Sequence, residues 1–127
     1  MSYVFESLLA TPGCEPVRSE DLDEFVAAGP RVLFLTGDTI QRPEAGDVAV
    51  VMREIMRGPE GERVRLGVVD RRDEEPVMKK FGVVVLPAVV MIRDGQVKEI
   101  VARMRDWQVY TQAFARLAAA GLLFGSF

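Results

Sequence analysis

The chain has 127 residues, 49% of them hydrophobic and 28% charged, with a net charge of −3, which suits one domain with a real core and a hydrated surface. It holds no histidine and one cysteine, Cys14, so histidine-based catalysis, histidine-containing metal sites, an intrachain disulfide and a C-x-x-C pair are all excluded. No apolar run approaches the roughly 20 residues of a membrane-spanning helix, and the opening MSYVFESLLATPG has no basic leader and carries Glu6, so a cytoplasmic protein without membrane insertion is expected.

Along the chain, the spacing of Tyr3, Val4, Phe5, Leu8 and Leu9 predicts a short amphipathic helix over residues 3–10. TPGCEPV turns the chain and leaves room for a short strand near Val17. In SEDLDEFVAAGP, Ser19 stands as an N-cap, and Glu20, Asp21 and Asp23 fill the first turn. Leu22, Phe25 and Val26 share one face until Gly29-Pro30 stops the helix. RVLFLT, residues 31–36, reads as a buried strand, and GDTIQRPEAGD as a loop without periodicity. Asp47 is placed to cap a helix over 48–57, GPEGE is a turn, and VRLGVVD, residues 64–70, is a second buried strand. A helix from Asp73 to Phe81 has acids at its start and Lys79 and Lys80 near its end, matching the helix dipole.

Two strands follow, 88–93 and 96–102, with Asp94-Gly95 as the tight turn. A helix from about Asp106 to Ala120 then buries Trp107, Tyr110, Phe114 and Leu117. Pro87 interrupts the most apolar run, VVVLPAVVMI. A buried strand admits proline only at its first residue, so Pro87 ends a loop and opens a strand, and its bond to Leu86 is expected to be cis. Strands joined through helices pair in parallel and the late hairpin adds antiparallel strands. The result is an α/β sandwich with a mixed sheet, a single domain over residues 1–127.

Charge is shared unevenly. Residues 1–47 hold 3 basic and 9 acidic side chains, net −6, while residues 48–127 hold 13 basic and 10 acidic, net +3. This argues against a nucleic-acid partner for the N-terminal half and admits a cationic one.

The element order, RVLFLTGD at residue 31 and the segment VRLGVVDRRDEEPVMKKFGVVVLPAVVMIRDGQV resemble the thioredoxin fold, a thioredoxin-like α/β/α sandwich with a central mixed β-sheet. In that family a cis-proline loop faces the redox motif and contacts the extended backbone of the bound partner. Here GDTIQRPEAGD stands where two cysteines would open the next helix, so there is no thiolate to form a mixed disulfide. Ala88 after Pro87 supplies no hydroxyl either.

A narrower resemblance rests on DTIQRPEAGD, on FGVVVLPA at 81–88 and on RDWQ at the start of the last helix. Together these are similar to the hydrogenase expression proteins of the HyaE/HupG/HoxO type, thioredoxin-like proteins without the cysteine pair. That resemblance implies a non-enzymatic role in assembling membrane-bound nickel–iron uptake hydrogenases, with no cofactor. The partners it implies are the hydrogenase small-subunit precursor, including its twin-arginine signal peptide, and other hydrogenase accessory proteins.

The candidate site is the loop bearing Asp38, Arg42, Pro43, Glu44 and Asp47, together with Leu86 and Pro87. In one reading Asp47 caps a helix, Asp38 assists a turn and Glu44 is solvated. In the other the acids form an anionic rim for arginines beside an apolar groove at Leu86 and Pro87. Glu15, Glu20, Asp21, Asp23 and Glu24 could extend the rim, although the helix dipole alone accounts for acids there. Leu122, Leu123, Phe124 and Phe127 either pack on the domain or form an exposed apolar tail. Two other functions remain open: a redox-inactive adaptor for a different protein, and a glutathione-binding enzyme in which Thr36 or Thr39 orients the thiol.

Overall fold

The computed structural model describes residues 3–125, with side chains as far as residue 119. In chain order the elements are α1 (Tyr3–Leu9), β1 (Cys14–Val17), α2 (Leu22–Val26), β2 (Pro30–Leu35), α3 (Glu44–Arg57), β3 (Arg65–Val69), α4 (Glu74–Phe81), β4 (Ala88–Arg93), β5 (Gln96–Ala102) and α5 (Trp107–Gly125). The five strands form one sheet in the order β1-β3-β2-β4-β5. β1, β3 and β2 run parallel, and β4 and β5 add antiparallel pairs. The expected mixed sheet is therefore present, and the strand near Val17 is its β1 edge. Pro16 is tolerated there because an edge strand has one side free of ladder bonds.

Val32 to Leu35 and Val89 to Ile92 are completely buried. Their near-continuous apolar sequence follows from having helices on both faces of the sheet. Side chains alternate between the faces, as a pleated strand requires. Val32, Phe34, Val89 and Met91 pack with Phe5, Leu8, Met52, Tyr110 and Phe114. Leu33, Leu35, Val90 and Ile92 pack with Leu22, Phe25, Val77 and Phe81. At the β1–β3 contact, a Cβ on Gly67 would lie 2.5 Å from Val17 Cγ2 and 3.0 Å from the Phe25 ring, so only glycine fits.

The Leu86–Pro87 bond is cis and Pro87 directly precedes β4, as expected. Asp94 and Gly95 both have positive φ, 51° and 82°, as a type I′ hairpin turn demands.

Four expectations are corrected. α3 begins at Glu44, so Asp47 lies inside its first turn and caps nothing; Pro43, with φ −62°, occupies the N-cap. Proline's fixed φ suits a helix start, which lets the helix run back through a segment without apolar periodicity. Ser19 does not cap α2: it opens a separate 3₁₀ turn, Ser19–Asp21, and its N–H is taken by Asp73 at 2.9 Å. Trp107 is 48% exposed, because the first turn of α5 contributes nothing to the core before Tyr110. α5 also continues to Gly125 rather than Ala120. The side chains of Leu122, Leu123, Phe124 and Phe127 lie outside the described residues.

Candidate partner-binding site

The site lies at the end of the sheet where β2 and β3 finish and β4 begins. Beyond β2 the chain turns at Gly37, φ 72°, a left-handed conformation that glycine adopts freely. A Cβ on Gly37 would come within 3.2 Å of Leu86 Cβ and 3.3 Å of Arg42 Cδ. The 38–47 segment and the Leu86–Pro87 corner are thus brought together, as the sequence suggested.

Asp38 does assist a turn: one carboxylate oxygen accepts the N–H groups of Ile40 at 2.9 Å and Gln41 at 3.3 Å. These bonds, with Arg71 and Arg42 nearby, hold its carboxyl below the usual carboxylate range. Arg71 lies 3.9 Å from Asp38 and 3.4 Å from Glu74. Glu74 is buried and accepts the Gly37 N–H at 3.0 Å. Loop, α4 and the end of β2 therefore form one polar network.

Glu44 is not simply solvated. Arg103 Nε reaches its two oxygens at 3.0 and 3.2 Å, and Arg103 Nη2 reaches Oε1 at 2.8 Å. The Met104 N–H adds a bond at 3.2 Å. The Arg103 fork is the main reason the Glu44 carboxyl is held below its ordinary range. Arg103 itself is non-glycine with φ 67°. Its N–H donates to Pro87 O at 2.7 Å, and its carbonyl accepts the Tyr110 hydroxyl at 2.8 Å. It links the start of α3, the proline corner and the approach to α5.

Two of the three acids of the expected rim, Asp38 and Glu44, thus carry guanidinium partners from this chain. Arg42 is exposed and makes no side-chain hydrogen bond or ion pair among the described residues. Asp47 is exposed on the first turn of α3. Of the more N-terminal acids, Glu15 pairs with Arg65 and Asp23 with Lys80. No hydrogen bond or ion pair among the described residues joins that cluster to the 38–47 loop.

What the corner offers is apolar surface. Ile40 is 90% and Val84 85% exposed, and Val85, Met104 and Trp107 are partly exposed. Leu86 is half-buried and Pro87 buried. Sequence reasoning missed Arg71, Glu74 and Arg103, whose partners lie on other elements. It also missed Ile40 and Val84; four apolar residues, 83–86, preceding a strand-opening proline were the available signal.

On the other side of the loop, a cavity of about 410 Å³ is lined by Phe5, Leu9, Val68, Thr36, Thr39 and Arg71, among others. Thr36 is buried and its hydroxyl donates to Gly37 O at 3.0 Å. Cys14 is half-buried, and burial pushes its thiol up to about 11, so it is a poor nucleophile at neutral pH. No group of three or more Cys, Asp or Glu among the described residues is arranged to hold a metal ion. No helix among them is long and apolar enough to cross a membrane.

Residues 4–110 match the family model of the hydrogenase-1 expression protein HyaE. The hydrogenase expression/formation protein HupG of Rhizobium leguminosarum bv. viciae is 46% identical over 81 residues, covering 64% of this chain and 54% of that protein. The HoxO protein of Cupriavidus necator is 34% identical over 118 residues, covering 91% and 73%. The HupG of Bradyrhizobium diazoefficiens is 33% identical over 114 residues, covering 86% and 76%. The match therefore spans about half the length of the first relative and about three quarters of the other two. Among solved structures, thioredoxin of Malassezia sympodialis superimposes with a TM-score of 0.68 at 18% identity, covering 80% of this chain and 90% of that one. A mutant thioredoxin of Halobacterium salinarum gives 0.69 at 16% identity, covering 86% and 95%. These two likenesses establish the thioredoxin-like fold.

Proposed function

We propose an assembly role for this chain, which belongs to the hydrogenase-1 expression protein HyaE family: it is a non-enzymatic cytoplasmic chaperone that binds the precursor of a hydrogenase small subunit through its twin-arginine signal region. The docking site is the 38–47 loop with the Leu86–Pro87 corner, including Asp38, Arg42, Pro43, Glu44 and Asp47. The observation that carries this reading is the exposure of Ile40, within that loop, and of Val84, two residues before Leu86. Apolar side chains fully in water contribute nothing to folding and gain about 25 cal/mol per Å² when a partner covers them.

The chemistry of the corner supports binding over catalysis. It holds no thiol, and the chain has no histidine. Its Asp38 and Glu44 carboxylates are engaged by arginines rather than poised as acids or bases. Ion pairs at such a rim select partners more than they add affinity.

Titration calorimetry with the small-subunit precursor tests the reading. The parent chain is expected to bind, and the Ile40→Asp/Val84→Asp double variant to bind roughly tenfold or more weakly, as when interface anchors are lost. Unchanged affinity in the double variant would place the interface elsewhere. If removing the signal region from the precursor changes nothing, the mature subunit is what is recognised.

A further inference from the structure

We propose that the Glu44 carboxylate is the subsite for an arginine of the partner polypeptide, and that Arg103 fills it in the free chain as a stand-in. This rests on the corner being the partner-binding site. Glu44 already holds a guanidinium in a two-oxygen fork, with contacts of 2.8, 3.0 and 3.2 Å. That planar match is one a lysine ammonium cannot reproduce. The Met104 main-chain N–H also bonds the second oxygen, a contact that does not need the Arg103 side chain.

The two partners differ in how firmly they are held. Glu44 is 25% exposed and sits on the first turn of α3, whereas the Arg103 side chain is 58% exposed. The Arg103 backbone is secured without its side chain, through Pro87 O and the Tyr110 hydroxyl. The guanidinium can therefore swing into water while the main chain stays in place. The Pro87 bond also sets the pair directly beside the apolar corner. A partner arginine entering there, next to an apolar stretch, would meet a carboxylate shaped for it and displace an exposed competitor.

Exchanging one guanidinium for another on the same carboxylate is close to neutral in free energy. Arg103 therefore lowers affinity but excludes side chains that cannot match its fork, which is specificity obtained by competition. Removing Arg103 should tighten binding, the opposite of what loss of a purely structural ion pair would do.

Arg103→Gly is the informative variant, because φ 67° suits glycine and the main chain at residue 103 needs no rearrangement. The probe is a synthetic peptide with two adjacent arginines followed by a short apolar run, compared with its lysine counterpart. Arg103→Gly is expected to bind the arginine peptide several-fold more tightly than the parent. Adding Glu44→Gln should cancel the gain, and the lysine peptide should gain much less. Arg105→Gly removes the same charge from a residue that does not touch Glu44, and should shift affinity by less than twofold.

Equal or weaker binding by folded Arg103→Gly, or an equal gain in Arg105→Gly, would overturn the proposal. If no variant binds the peptide while the parent still binds the full precursor, the subsite is refuted and the assembly role stands. If the parent fails to bind the precursor, the functional reading fails on its own account.

Discussion

Val89 and Val90 in β4 are completely buried, whereas Val84, a few residues earlier in the same apolar run, is almost wholly in solvent. The difference is one of position. β4 lies between β2 and β5 in the sheet, with helices over both faces. Residues 84 and 85 precede the cis bond, beyond the reach of those helices. The same contrast separates Phe34 in β2, the central strand of the sheet, from Ile40 six residues later. Apolar residues in the sheet hold the fold together, and apolar residues at the corner are free to do something else. The polar groups divide the same way. Arg18 after β1 and Asp73 before α4 meet in a part-buried contact, while Arg103 and Glu44 meet at a more open edge.

Substitutions can break or sharpen this contrast. Phe34→Ala should cost most, about 3–5 kcal/mol for a large buried aromatic, read as a lowered urea midpoint. Gly67→Ala should cost about 1–3 kcal/mol, since its methyl would overlap Val17 and crowd Phe25; calorimetric melting would show it. Tyr110→Phe removes the hydroxyl that donates to Arg103 O and accepts the Arg105 N–H. It should cost about 1 kcal/mol, with amide exchange rising at 103–105 before global unfolding. The Ile40→Asp/Val84→Asp pair should shift stability least, by about 0.5 kcal/mol or less, because neither side chain is packed. A large loss of stability in that pair would erase the distinction between sheet and corner.

Much of this was readable from the residues. Pro87 announced the start of β4 because proline fixes its own φ, and Asp94-Gly95 announced the hairpin because glycine freely takes the positive φ that a tight turn needs. Unbroken apolar runs at 32–35 and 88–92 announced strands covered on both faces. The start of α3 was not readable from periodicity. Ala45 and Gly46 add little hydropathy, so no apolar periodicity marks the first turn. Trp107 was misplaced because helical spacing says which residues share a face but not where the sheet beneath them ends. The Glu44–Arg103 pair spans 59 residues and depends on β5 returning to the proline corner. Local pattern carries no trace of such a meeting, so Glu44 looked solvated and the rim looked more acidic than it is.

The central claim is that the corner, and not another face, receives the hydrogenase precursor. Amide hydrogen exchange of the intact chain, alone and with saturating small-subunit precursor, tests it directly. The account predicts added protection in residues 38–47, 83–87 and 103–107, with β5 and the β1 edge unchanged. Protection confined to β5 or the β1 edge, or none at the corner in a mixture shown to be bound, would contradict it.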